Sequence, residues 1–439
     1  MRTLPLFGVP LFTIGVLSGI VTQAQQPPTR VVAASTPTFT RDVAPILFNH
    51  CAECHRPGEI APMSLLTFDQ ARPYATAIAQ AVRRGTMPPW HADAPAGTFQ
   101  NERILNERDR QILIDWAGDG APRGEVKDLP APPSFTEGWT LGQPDVVFEM
   151  DGEYAVPASG EIAYQNFYIP TSFTETKWVQ SFEVRPGDRS VVHHVLVRHR
   201  ARPRTTGDAL VQPNKAHTGS PSAPSEARRP ISADLADAPS RLVATYAPGT
   251  NPQRAPRGTA FRLDPGGALQ LQIHYTTTGR ATTDRTKVGI IFLKEPPRQE
   301  LLAEQFLNRQ LKLPAGAADV AVSTDLEFLQ DAAVWGLFPH THLRGKKWHY
   351  TLQLPNGEVR TILSVPTYDF NWQTYYMFKE PLQVPKGSRL ISTAWYDNSR
   401  ANKANPDPTK EVTWGDQTWE EMQYTGVLLT AAEPPAAAR

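Results

Sequence analysis

The chain has 439 residues, of which 40% are hydrophobic, so it is long enough for about two to four domains with cores of their own, and a disordered polymer is excluded. Its 44 basic and 44 acidic side chains balance, so no overall positive charge can attract nucleic acid or an anionic membrane. We therefore expect a small or neutral partner and no nucleic acid.

The N-terminus has the pattern of an export signal. Arg2 precedes an apolar run over residues 4–21, and small residues before the next polar stretch fit cleavage after Ala24. A retained membrane anchor is the alternative, but the glycines and proline within the run disfavour a permanent span. The sequence predicts a signal peptide over 1–24, a Pro/Thr-rich leader over 25–37, and a periplasmic or secreted protein without a stable membrane span.

The helical patterns of residues 38–124 surround the motif CAECH, which contains both cysteines of the chain. Two thiols at this spacing attach a haem covalently, and the histidine that follows is an iron ligand. A zinc or redox dithiol is the alternative, but it lacks a second cysteine pair. The motif therefore predicts one haem c held by Cys51, Cys54 and His55, and leaves no thiol for a blue-copper site.

The sixth ligand of this haem has three candidates. Met87 follows a helical segment, and two prolines after it fix an extended backbone, so we favour Met87. Met63 follows His55 too closely to reach the opposite haem face easily, and we interpret His91 as a solvated loop residue. A thioether ligand indicates electron transfer. With these features, residues 38–124 resemble a small single-haem cytochrome c domain.

The pattern changes after a proline-rich linker over residues 125–143. Short Val-, Ile-, Phe-, Tyr- and Trp-rich runs alternate with Gly, Pro and Asn turns, which is typical of antiparallel sandwiches. We predict a multidomain protein in which a small all-α cytochrome c domain is followed by two all-β, jelly-roll-like domains, 144–296 and 297–431. A polar surface insertion over 201–240 interrupts the first, and 432–439 is a tail.

Five of the 11 histidines stand on these apolar runs. Because alternate residues of a strand share a face, His340 and His342 can offer both imidazoles to one metal ion. His193 and His194 are adjacent and would point to opposite faces unless a bulge or strand end intervenes, and His274 stands in LQIHY. Ordinary half-buried histidines are the alternative for these five. The remaining histidines of the chain are interpreted as solvated or structural: His50, His199, His217 and His349.

Residues 144–429 resemble the copper type II, ascorbate-dependent monooxygenases. The resemblance rests on the His-His pair, on Gln-Ile-His-Tyr around His274, on the His-Thr-His motif and on a late Glu-Met, Glu421-Met422. It implies two copper ions at two mononuclear sites. An electron-transfer copper would be held by His193, His194 and His274, and a dioxygen-binding, catalytic copper by His340, His342 and Met422. Met377 is the rival thioether, which we interpret as a core filler.

These features together predict a periplasmic monooxygenase that hydroxylates a C–H bond of a small organic substrate with dioxygen. Its own haem would deliver the electrons, where the related enzymes use ascorbate, and an unidentified periplasmic donor would reduce the haem. Two alternatives stay open: a non-enzymatic electron-transfer or copper-handling protein, and a cytochrome-linked oxidase that does not hydroxylate carbon.

Overall fold

In a computed structural model of the chain, the residues described are 36–57, 59, 61–135, 138–201, 209–214, 240–247, 250 and 252–432. The predicted signal peptide, most of the leader and most of the 201–240 insertion therefore lie outside the described residues. Within the described part, no helix is both long and apolar enough to cross a membrane.

The helical part of the molecule lies between residues 39 and 128. A π-helical turn (Phe39–Val43) and two 3₁₀ turns (Arg72–Tyr74 and Val126–Asp128) accompany four α-helices: α1 (Ala44–His50), α2 (Phe68–Ala71), α3 (Ala75–Arg84) and α4 (Glu107–Gly118). The Asn106 side chain caps α4 by accepting the Asp109 amide, and α3 ends at Gly85, whose φ of 69° suits glycine. These elements close over an apolar cluster centred on Phe39, Leu47 and Trp116.

The first β region forms two main sheets and one small one. Its strands are β1 (Val146–Glu149), β2 (Tyr154–Val156), β3 (Gln165–Pro170), β4 (Lys177–Arg185), β5 (Val192–Arg200), β6 (Val211–Pro213), β7 (Ser240–Tyr246), β8 (Gln253–Arg254), β9 (Thr259–Leu263), β10 (Ala268–Tyr275), β11 (Thr282–Asp284), β12 (Lys287–Phe292) and β13 (Gln299–Glu300). One sheet has the order β1-β12-β4-β9-β13, with β8 also paired to β4, and the other has the order β3-β10-β5-β7, while β2 pairs with β11. The β10 strand lies between β3 and β5 and is buried along most of its length, so both of its faces are covered.

The second β region has the same layered design. Its strands are β14 (Leu302–Leu307), β15 (Lys312–Leu313), β16 (Val320–Phe328), β17 (Ala332–His340), β18 (Gly345–Gln353), β19 (Val359–Val365), β20 (Tyr376–Val384), β21 (Arg389–Tyr396), β22 (Val412–Thr413) and β23 (Tyr424–Ala431). The sheets have the orders β14-β23-β17-β20 and β19-β18-β21-β16-β6, and β15 pairs with β22. The described chain is thus mostly β-structure in antiparallel sheets, as the strand-like patterns predict.

Two strands cross the predicted boundary between the β regions. β6 precedes the boundary in sequence but pairs with β16 in the second region, and β13 follows the boundary but pairs in parallel with β9 in the first. The core of the first sandwich also includes Phe338, Tyr424 and Leu428 from the second. The two β regions therefore share an apolar interface.

The segment after α3 packs on the second β region. Phe99 forms a bridge with Phe378, and the backbone N–H of Gln100 donates to the Met377 carbonyl oxygen at 2.8 Å. Trp90 packs edge-on against Tyr376, with ring centroids 5.1 Å apart. The helical part is therefore held against β20 by backbone pairing as well as by side chains.

Candidate metal centre

His193, His194 and His274 come together at one end of the β5–β10 pair. His274 lies opposite His194, and the next pair is Tyr275 with Val192, so His193 is an extra residue in β5. This irregularity is a bulge, which allows adjacent histidines to turn toward the same side. One ligand atom from each of the three histidines lies within 4.8 Å of the others. The bulge that joint ligation by His193 and His194 requires is therefore present.

Hydrogen bonds orient these three imidazoles. His193 Nε2 lies 3.2 Å from Asn371 Oδ1, and His274 Nε2 lies 3.3 Å from Thr418 Oγ1. Asn371 Oδ1 can only accept, so His193 carries its proton on Nε2 and its Nδ1 bears a lone pair. His193 Nδ1 lies 3.1 Å from His194 Nδ1, while His274 Nδ1 and His194 Nε2 are buried without a hydrogen-bond partner. Unpaired buried nitrogens of this kind are available to a metal ion.

His340 and His342 lie at the end of β17, with ring centroids 5.2 Å apart. His340 Nδ1 donates to Gln373 Oε1 at 2.7 Å, and Gln373 Nε2 donates to the Phe370 carbonyl oxygen at 3.0 Å, which fixes the orientation of the amide. His342 Nδ1 faces the Glu420 carbonyl oxygen at 3.4 Å, and its buried Nε2 has no hydrogen-bond partner. Both imidazoles are thus held at Nδ1, which leaves Nε2 for a ligand.

The two histidine groups lie side by side. The rings of His194 and His340 are 6.1 Å apart between centroids. The Phe370 ring lies 6.2 Å from both His194 and His342, and the Tyr164 ring lies 5.4 Å and 6.0 Å from the same two histidines. All five predicted histidines therefore form one cluster, and two aromatic rings adjoin it.

Burial keeps these histidines neutral. It lowers the pKa of His274 to about 3 and that of His340 to about 4, and it lowers the pKa values of His194 and His342 well below the ordinary value. Charge repulsion among the neighbouring imidazoles adds to the effect for His194 and His274. Neutral imidazole is the form that binds metal ions.

Glu421 holds the backbone around the second histidine pair. One carboxylate oxygen accepts the backbone N–H groups of His342 and Met422, and the other accepts that of Arg344 at 3.0 Å. Burial nevertheless raises the pKa of Glu421 to about 7. Since one oxygen serves both His342 and Met422, it keeps the backbones of these two predicted ligands side by side.

The two candidate thioethers differ in their surroundings. Met422 is half-buried, and its carbonyl oxygen accepts the Tyr396 hydroxyl at 2.9 Å. Met377 is buried in the core, and a Cβ placed on Gly336 of β17 would lie 2.6 Å from its sulfur. The interpretation of Met377 as a core filler is confirmed.

The predicted haem residues lie in the turn that follows α1. Cys51 and Cys54 are free thiols, and His55 Nδ1 faces the Met63 carbonyl oxygen at 3.3 Å, so His55 Nε2 is left for a ligand. Burial raises the pKa of Cys51 to about 12 and also raises that of Cys54, so both thiols carry their protons at neutral pH. The Met63 carbonyl oxygen therefore lies on the Nδ1 side of His55, away from the nitrogen that would face iron.

The other sequence candidates have varied surroundings. Met87 is 44% exposed. His91 differs from the prediction of a solvated loop residue, because the side chain is half-buried and its Nε2 is buried without a hydrogen-bond partner. The remaining histidines are exposed (His50), buried (His199), half-buried (His349) or outside the described residues (His217).

Several site residues carry no motif in the sequence. Tyr164, Phe370, Asn371 and Gln373 lie in irregular segments, and each is placed by contacts far away along the chain. The only local signal is the aromatic-rich run DFNWQTYYMF, which contains the last three. This run is equally consistent with a segment of the hydrophobic core.

Comparison with known proteins gives one family match. Residues 322–422 match the model of the copper type II ascorbate-dependent monooxygenase C-terminal domain, and this range includes His340, His342 and Met422. No curated protein matches the chain.

Among solved structures, the infectious bursal disease virus VP2 subviral particle is similar at 10% identity and a TM-score of 0.20, covering 68% of this chain and 75% of that one. Allantoicase is similar at 7% identity and a TM-score of 0.15, and the match covers 56% of this chain and 81% of that chain. The CBM22 tandem domain of Paenibacillus barcinonensis Xyn10C is similar at 11% identity and a TM-score of 0.17, and the match covers 69% of this chain and 96% of that chain. Scores this low carry no argument.

Proposed function

We propose that this protein is an exported copper monooxygenase that hydroxylates a C–H bond of a small organic substrate with dioxygen. The observation that carries the proposal is the cluster of five neutral histidines, four of them buried and His193 half-buried, of which the second pair lies in the segment that matches a copper monooxygenase domain. The periplasm or the cell exterior is the proposed location.

The residues present fit copper. Three of the histidines have buried nitrogens without hydrogen-bond partners, and neutral imidazole suits copper. His193, His194 and His274 would hold one ion, and His340, His342 and Met422 a second. Copper bound there would supply single-electron chemistry with dioxygen.

Side chains around the histidine cluster orient the imidazoles and shield them from water. Asn371 and Gln373 fix the proton positions of His193 and His340, so that lone pairs and not N–H bonds face the cluster. Glu421 fixes the turn that carries His342. Phe370 and Tyr164 exclude water from the histidines, which limits loss of reactive oxygen species before the substrate is oxidised.

A haem c is the proposed electron donor. Cys51 and Cys54 are not joined in a disulfide and stand three residues apart, and His55 donates from Nδ1 to the Met63 carbonyl oxygen and keeps Nε2 free, so the residues fit a covalently attached haem with one histidine ligand. Met87 is the proposed second ligand. Haem would supply electrons one at a time, and hydroxylation consumes two electrons and two protons for each dioxygen, giving an alcohol and water. An unidentified periplasmic protein would reduce the haem.

The test uses the full chain with haem attached and copper loaded. The reduced protein is given ¹⁸O₂ and a metabolite extract, and mass spectrometry should find one ¹⁸O atom in a hydroxylated product. His342→Ala is the control and should give no such product. Oxygen consumption without a labelled product would indicate an oxidase, and the absence of both would indicate an electron-transfer or copper-handling protein.

A further inference from the structure

We propose that Arg103 and Trp372 relay electrons from the haem turn to the His193 group, with Asn371 completing the connection. This inference rests on the proposed function, because it assumes a haem on Cys51 and Cys54 and copper on His193, His194 and His274. It identifies which side chains connect two groups that belong to different parts of the fold.

The first contact lies at the haem turn. Arg103 donates a hydrogen bond to the Cys54 sulfur, and its guanidinium also forms an ion pair with Glu53 at 3.3 Å. Both partners belong to the CAECH motif, so the Arg103 head group is held against the turn at two points. A haem attached through Cys54 would therefore begin at an atom that Arg103 touches.

The second contact crosses to the second β region. The Arg103 guanidinium carbon lies 5.2 Å from the centre of the Trp372 indole ring, a cation–π arrangement. Trp372 is buried, yet its indole N–H has no hydrogen-bond partner among the described residues. A buried tryptophan usually finds such a partner, so a hydrogen bond does not explain the indole at this position.

The last contact reaches the histidines. Trp372 is covalently linked to Asn371, whose Oδ1 accepts from His193 Nε2 at 3.2 Å. One residue earlier, the Phe370 ring stacks on His193 with a centroid distance of 5.0 Å and an interplanar angle of 18°. From Cys54 to His193 the route therefore needs three non-covalent contacts, and every other step runs through covalent bonds, which transmit electrons better than empty space does.

The proposed step is the transfer of one electron from haem to copper. One electron leaves ferrous haem, which becomes ferric, and one cupric ion becomes cuprous. No bond forms or breaks, and Arg103, Trp372 and Asn371 begin and end unchanged.

The experiment measures this transfer without oxygen or substrate. In the fully oxidised, haem- and copper-loaded chain, a flash-generated flavin semiquinone reduces the haem, and the decay of ferrous haem absorbance gives the rate of transfer to copper. A rate independent of protein concentration identifies transfer within one molecule. Trp372→Leu should slow it by about tenfold or more, the size of effect usual for groups just outside a metal's ligands.

Trp395→Leu is the matched control. Trp395 is half-buried in β21, where Lys347 Nζ lies 4.4 Å from its ring centre, so its loss removes an indole from the same β region without interrupting the relay and should leave the rate at the parent value. Arg103→Met provides a second interruption on the haem side in case Trp372→Leu folds poorly, and it should slow transfer similarly. Haem potential, copper content and the Cu(II) resonance spectrum should be unchanged in Trp372→Leu, whereas a merely structural role would alter them. Arg103→Met also removes a positive charge beside the haem turn, so its transfer rate is compared with the parent's after the haem potential of this variant has been measured.

Two results would count against these conclusions in distinguishable ways. Transfer at the parent rate in Trp372→Leu, with haem and copper both present, would overturn the relay and leave the proposed function standing. Purified protein that holds no haem or no copper would overturn both.

Discussion

Replacing Gln373 with leucine removes the side chain that sets the proton position of His340. Both residues are 2% exposed, and the Nδ1–Oε1 hydrogen bond between them is 2.7 Å long. Leucine has a similar volume but no acceptor, so His340 keeps a buried N–H without a partner. The Phe370 carbonyl oxygen loses its bond from the Gln373 amide as well.

The expected cost follows from these two losses. An unsatisfied buried donor costs about 1–3 kcal/mol, part of which His340 can avoid by moving its proton to Nε2 and so giving up its metal-binding atom. Either route weakens copper binding, and we expect affinity at the His340–His342 pair to fall by about 10- to 100-fold. Competition against a chromophoric Cu(I) chelator measures this affinity.

A matched variant separates copper binding from stability. Gln270 of β10 is also buried; its amide donates to Asn166 Oδ1 at 2.8 Å, and its carbonyl oxygen accepts from the Arg200 guanidinium at 2.6 Å. Gln270→Leu should lower the urea midpoint while the copper affinity of the His340–His342 pair stays at the parent value. If Gln373→Leu binds copper as tightly as the parent, Gln373 does not control His340.

Three further predictions concern other groups. Met87→Ala should abolish the thioether-to-iron absorption band of oxidised haem; loss of that band in Met63→Ala instead would reverse the proposed haem faces. The protein should bind two copper ions, and His342→Ala should keep one by elemental analysis; loss of both would indicate one shared centre. Burial lowers the pKa of His199 to about 4, below its value of about 6.5 in the unfolded chain, so the unfolded state binds more protons and stability should fall as pH drops from 6.5 to 4, by about 3 kcal/mol from this group. Urea unfolding of copper-free His199→Gln should show less of this loss than the half-buried control His349→Gln, and equal loss in both would contradict the assignment.

The sequence predicts where helices and strands lie better than it predicts which strands pair with each other. Strand-like runs and the helical patterns are found where the periodicity places them, because burial on one face imposes that periodicity locally. The five histidines are brought together, and the need for a bulge at His193 follows from strand geometry alone. Its position does not, because the bulge depends on how β10 pairs with β5.

The groups that orient the histidines could not be predicted in the same way. Asn371 and Gln373 act on His193 and His340 from 178 and 33 residues away, and nothing in their own neighbourhood distinguishes them from core residues. His91 looks like a solvated loop residue from its proline-rich surroundings, yet its Nε2 is buried in the folded chain. Such contacts are properties of the assembled chain.

The three residues of β6 have a practical consequence for anyone dividing this chain into pieces. A fragment starting at residue 297 would lack Val211–Pro213, and the outer edge of β16 would expose unpaired amides and carbonyls, an arrangement that recruits a second chain. A fragment ending at residue 296 would lose β13 from the edge of its own sheet. Each half made alone is therefore expected to self-associate, and metal titrations of such halves would report on an aggregate. The piece to produce for spectroscopy runs from Pro37 onward without internal cuts.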